Sequence, residues 1–75
     1  MPNLRRVSGL EAVRSLERLG FVRVRQRGSH VILRRETSEG VVGCVVPLHP
    51  ELAEGKRRGV LRQARVSAED FLDNL

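Results

Sequence analysis

Between residues 21 and 47 the chain holds three strand-like runs joined by turns too short for a crossover, and that spacing dictates an antiparallel sheet. "FVRVRQ" alternates from Val22 onward, with Val22 and Val24 facing one way and Arg23 and Arg25 the other. Arg27 and Gly28 make a tight turn, because glycine tolerates the positive φ that hairpin turns demand. "SHVILRR" is the returning strand. Its alternation sends Ser29, Val31 and Leu33 to one face and His30, Ile32 and Arg34 to the other. "ETSEG" is a polar turn, and "VVGCVV" is a third strand, apolar on both faces as suits a central or covered position. "PLHPELAEG" follows, and its prolines, which cannot donate to a ladder, make it a loop.

Helical spacing flanks these strands. Ser8-x-x-Glu11 is a capping box, Ala12, Val13, Leu16 and Leu19 recur on one face, and Gly20 fits the left-handed stop. The outer face of that helix offers Arg14 and Arg18. "GKRRGVLRQAR" reads as a second helix burying Val60, Leu61 and Ala64, with Gly59 costing it roughly 1 kcal/mol relative to alanine. Ser67-x-x-Asp70 caps a short last helix carrying Phe71, Leu72 and Leu75. The order is αβββα with a C-terminal helical turn. Residues 1–75 are expected to form a single α+β domain, a three-stranded antiparallel sheet with helices on one face.

At 75 residues the domain is near the lower limit of what folds without staples. Its one cysteine, Cys44, allows no intramolecular disulfide and no cysteine-based zinc site, which suits a reducing cytosol. No apolar run approaches the roughly 18 residues of a membrane span, and "MPNLRRVSG" lacks the apolar stretch of a signal peptide. The expectation is a cytoplasmic protein with no membrane partner.

The formal charge is +5, but it is unevenly placed. Residues 1–35 carry nine arginines against Glu11 and Glu17, a balance of +7, whereas residues 36–75 come to −2. Only one of the fourteen basic residues is lysine, and arginine's planar fork suits phosphate, which points towards nucleic acid. With no Tyr or Trp and two Phe that read as core, the base-stacking platforms of many RNA-binding modules do not fit.

His30 is the first candidate for chemistry, on the open face near Arg23 and Arg25 of the paired strand and Arg34 of its own. Cleaving a phosphodiester in RNA needs a base for the 2′-hydroxyl, an acid for the leaving 5′-oxygen and positive charge around the phosphorus. Histidine can do either proton transfer and arginines can hold the charge. Spacing alone leaves open a plain surface histidine in a basic strand. His49, between Leu48 and Pro50, reads as a structural residue whose imidazole bonds the loop backbone, with an acid–base partner as the alternative. Cys44 reads as a small buried hydrophobe. "GKRRG" fits a phosphate grip by helix-end amides with Lys56, Arg57 and Arg58, and a solvated basic cap fits almost as well. Two histidines without a compact carboxylate cluster give no metal site.

Taken together, "VSGLEAVRSLERLGF", "VRQRGSHVILRR", "VVPLHPELAEG" and "RGVLRQARVSAEDFL" resemble the HicA (YcfA-like) family of toxin–antitoxin toxins over residues 7–72. The Gly-Ser-His after a hairpin turn, the Pro-x-His after the third strand and the ending occur in the family's order. The resemblance implies a double-stranded-RNA-binding-like αβββα fold and an mRNA-cleaving activity whose catalytic histidine falls on His30. It also implies a HicB-like antitoxin that blocks the RNA-cleaving surface. Arg23, Arg25, Arg27, Ser29, Arg34 and Lys56 are then the expected RNA contacts, with no metal and no small-molecule cofactor. The alternative is a non-catalytic double-stranded-RNA-binding-like module. The chain departs from the family at Lys56-Arg57, where Thr-Leu is usual, and at Arg65, where glycine is usual. Those changes bear on the packing and ending of the second helix.

Overall fold

The computed structural model describes residues 6–75. Arg5, one of the arginines of the basic half, and most of the N-terminal stretch "MPNLRRVSG" lie outside the described residues. The elements run α1 (Gly9–Arg18), β1 (Val22–Arg27), β2 (His30–Thr37), β3 (Gly40–Pro47), α2 (Glu54–Ala64) and α3 (Ala68–Asp73). The strands form one antiparallel sheet in the order β1-β2-β3. This is the expected α+β arrangement.

The capping box closes at both ends: Ser8 Oγ accepts from the Glu11 N–H, and the Ser8 N–H donates to Glu11 Oε1. At its other end α1 stops in a Schellman arrangement. Gly20 takes φ +101°, its N–H donates to the Glu17 carbonyl, and the Phe21 N–H donates to the Leu16 carbonyl. Ser67 caps α3 through the Asp70 N–H, as its spacing predicts. The absence of glycine at residue 65 does not move the end of α2. Arg65 itself adopts the left-handed conformation, φ 57° and ψ 41°, and the helix terminates there with a strained side chain.

Val31 and Leu33 of β2 and Val42, Cys44 and Val46 of β3 meet Val13 and Leu16 of α1, Val60 and Leu61 of α2 and Phe71 of α3 in one core. The buried Ser15 hydroxyl donates to the Phe71 carbonyl and so ties α3 to α1. Gly9 is required by close approach: a Cβ there would clash with the Pro47 carbonyl oxygen. That approach, with the Gly9 N–H donating to the His49 carbonyl, packs the start of α1 on the loop after β3.

Three expectations need correction. The alternation of β1 is broken by a bulge between Arg23 and Arg25, so Arg23 pairs opposite Leu33 and Arg25 opposite Ile32. The two arginines therefore sit on opposite faces. β3 is an edge strand rather than a central one. One face is buried, the other exposes Val41 and Val45, and α2 runs along its outer edge, where Gln63 Oε1 accepts the Val45 N–H at 3.2 Å. Finally, Pro47 ends the strand rather than opening the loop. Peptide groups alternate in direction along a strand, so a residue two after Val45 also turns its nitrogen to the outer edge, where the ladder needs no donor.

Candidate active site

The uncovered face of the sheet can be read row by row from the register. Arg27, His30 and Pro47 lie across its first row, Arg25, Ile32 and Val45 across the second, and Val22, Arg34 and Gly43 across the third. The first row is set by the hairpin. Gly28 takes φ +59° while Ser29 does not go positive, the pattern of a II′ turn with glycine at its first central position. The two-residue turn places Arg27 directly opposite His30. Ser29 is exposed in that turn rather than on the strand, and its carbonyl accepts the Leu48 N–H at 2.7 Å, which fixes the turn to the loop beyond β3.

His30 is exposed and lines a groove of about 530 Å³ between this face and α2. Lys56, Arg62 and Gln63 project from α2 into the same groove. Among the described residues, no carboxylate pairs with Arg25, Arg27, Arg34, Lys56 or Arg62. Arg27, Lys56 and Arg62, unneutralised beside an exposed imidazole, are arranged to receive an anion.

Of the expected site residues, the structure places the catalytic candidate His30 with Arg25, Arg27 and Arg34 on the open face and Lys56 across the groove from His30. Arg34 lies at the far end of that face and lines a second groove with Val22, Val24 and Glu36. Arg23 is elsewhere, its Nε donating to Glu17 Oε2 of α1 at 3.0 Å, because the bulge turns it to the other face. Arg58 pairs with Glu54 on the exposed side of α2. The His49 imidazole is exposed and, among the described residues, makes no hydrogen bond; the tie to Gly9 runs through its backbone carbonyl. The expected imidazole–backbone bond is therefore replaced by a backbone–backbone one. Cys44 is buried, and burial pushes its thiol up to about 11, so it is an inert packing group.

Arg62 and Gln63 did not stand out in the sequence. The signal was available in the helical period: Gly55, Lys56, Gly59, Arg62 and Gln63 recur at steps of three and four and so share one stripe of α2. What was missing is where that stripe points, which depends on how α2 lies against β3.

Among the described residues, no group of three or more His, Cys, Asp or Glu is gathered to hold a metal ion, and no helix is long and apolar enough to cross a membrane. A family model described as the HicA toxin of bacterial toxin-antitoxin matches residues 9–66. The chain belongs to the HicA toxin family. No curated protein matches it closely. The span shared with the HicA model takes in both walls of the groove, from β1 to the end of α2. Membership makes this a toxin of a toxin–antitoxin system and implies an antitoxin as its partner.

Proposed function

We propose that this HicA protein is an endoribonuclease that cleaves single-stranded or weakly structured mRNA, blocks translation, and is silenced when a HicB-like antitoxin covers the open face. One observation carries the reading: an exposed histidine at the mouth of a groove, with Arg27 opposite it, Lys56 across from it and no carboxylate pairing with either cation among the described residues.

The chemistry follows from those groups. A base takes the proton from the ribose 2′-hydroxyl, and the 2′-oxygen attacks the adjacent phosphorus. The bond from phosphorus to the 5′-oxygen breaks, its electron pair leaves with that oxygen, and an acid protonates it. His30 supplies one of the two proton transfers, which the imidazole can do near neutral pH. Arg27 and Lys56 hold the phosphate and the charge that grows on its oxygens in the transition state, and Arg25 and Arg34, farther along the open face, hold neighbouring phosphates of the strand. Arg23, held by Glu17 on the other face, contributes only to the wider field around the RNA; Ser29 presents the turn on which His30 sits. The protein is expected to act in the cytoplasm, where its mRNA substrate is.

The test is cleavage of labelled RNA by pure protein, with the ends analysed. Products carrying 2′,3′-cyclic phosphate and 5′-hydroxyl termini, formed in full in the presence of EDTA, support the mechanism. Loss of cutting on chelation that magnesium restores rejects it. Binding of double-stranded RNA without cleavage moves the assignment to a non-catalytic binding module.

A further inference from the structure

The groove beside His30 is larger than one phosphate needs, and its far wall has an unusual composition. Gly55 and Gly59 leave the helix backbone bare: a Cβ at either position would meet nothing within 4 Å, so packing within the chain does not require glycine there. Lys56 and Arg62 flank that bare surface as cations without a carboxylate partner among the described residues. Next to them stands Gln63, whose amide is oriented by the sheet. Its Oε1 accepts the outward N–H of Val45, and only the oxygen of an amide can accept, so the orientation is determined by the bond. The Gln63 NH₂ group, a donor, makes no hydrogen bond among the described residues and belongs to a side chain that lines the groove.

We propose that this groove is a nucleobase subsite beside the scissile phosphate and that Gln63 is its specificity-determining residue, selecting bases that carry a carbonyl oxygen rather than an amino group at pyrimidine position 4 or purine position 6. The inference rests on the RNA-cleaving reading of His30, since it places the subsite next to the cut. A flat ring lies against the bare backbone at Gly59, while Lys56 and Arg62 hold the phosphates on either side of it. The donor of Gln63 then meets O4 of uracil or O6 of guanine, whereas cytosine and adenine present an amino group at the same position and leave two donors facing each other. Such a mismatch is disfavoured because the bound base covers the Gln63 donor and leaves it unpaired.

The test uses the full chain and a random-sequence RNA pool whose cut ends are sequenced. The parent protein is expected to prefer uracil or guanine by about tenfold at one position adjoining the cut, the factor one good base contact supplies. Gln63→Glu keeps an oxygen for Val45 but turns an acceptor to the groove, and is expected to shift that position towards cytosine and adenine. Gln63→Met keeps the stem without the donor and should flatten the preference. Comparing bases within one pool cancels any general repulsion of RNA by the new carboxylate. A parent without a carbonyl-base preference, or the same preference in all three proteins, overturns the subsite. If the parent cuts nothing, the nuclease reading fails by itself, and the subsite is judged on binding. Tighter binding of oligouridylate than oligocytidylate, reversed by Gln63→Glu, upholds it, and equal binding overturns it.

Discussion

On β2, Val31 and Leu33 are sealed under the helices at 1% and 0% exposure, while His30 and Arg34, one residue to either side, stand in solvent. The two faces of the sheet are therefore interleaved along the same strands and differ in how they treat charge. On the covered side each arginine has been given a structural partner. Arg35 donates to the Leu19 carbonyl at the end of α1 and lies over the Phe21 ring at 4.9 Å, and Arg23 is paired with Glu17. On the open side Arg25, Arg27 and Arg34 make no ion pair among the described residues, and with only Glu36 beside Arg34 to offset them the face keeps an excess of positive charge until an anion arrives. On the proposed function, the two-residue period of a strand separates fold from function, and substitutions on the two faces should have different signatures.

The largest effect on stability is expected on the covered face. Leu33→Ala removes a fully buried side chain between α-helix and sheet and should cost about 2–5 kcal/mol, a large part of the stability of so small a domain, read by chemical denaturation. The matching change on the open face, Arg25→Gln with Arg27→Gln, should leave the unfolding midpoint unchanged. It should instead reduce the salt dependence of RNA binding, by about 0.7 in logarithmic slope for each phosphate no longer neutralised. A drop in stability without a change in slope would show that the two faces are not divided in this way.

Away from the faces, smaller changes sharpen the account of how α2 is held. Arg65→Gly relieves the left-handed backbone and should stabilise the protein by about 1 kcal/mol, and a destabilised variant would mean that the Arg65 side chain contributes more than its strain costs. His49→Ala should stay within about 0.5 kcal/mol of the parent, because the bond from Gly9 goes to the His49 carbonyl, which alanine retains.

Much of the covered face was legible in the sequence, since its signals are local. The Ser8 and Glu11 cap, the Gly20 stop, the glycine turn before His30 and the Ser67 cap each act within a few residues, and each is where its pattern predicts. The open face was legible only in part. His30, Ile32 and Arg34 follow from alternation alone, but the bulge that removes Arg23 from their side depends on how β1 curls along β2 and leaves no mark in "VRVRQ". The groove was least legible of all. Its second wall arises from α2 lying along the edge of β3, a tertiary arrangement that helical periodicity cannot express, and so Arg62 and Gln63 emerged only with the fold.

The central claim is that His30, exposed on the open face, carries chemistry and no structure. Gln at this position keeps a hydrogen-bonding shape of similar reach but cannot transfer a proton near neutral pH. Measuring the RNA-cleavage rate of His30→Gln beside its unfolding midpoint and its RNA affinity tests that claim directly. The account predicts a rate lower by about a hundredfold to ten-thousandfold with midpoint and affinity unchanged. A variant that cleaves at the parental rate would contradict it.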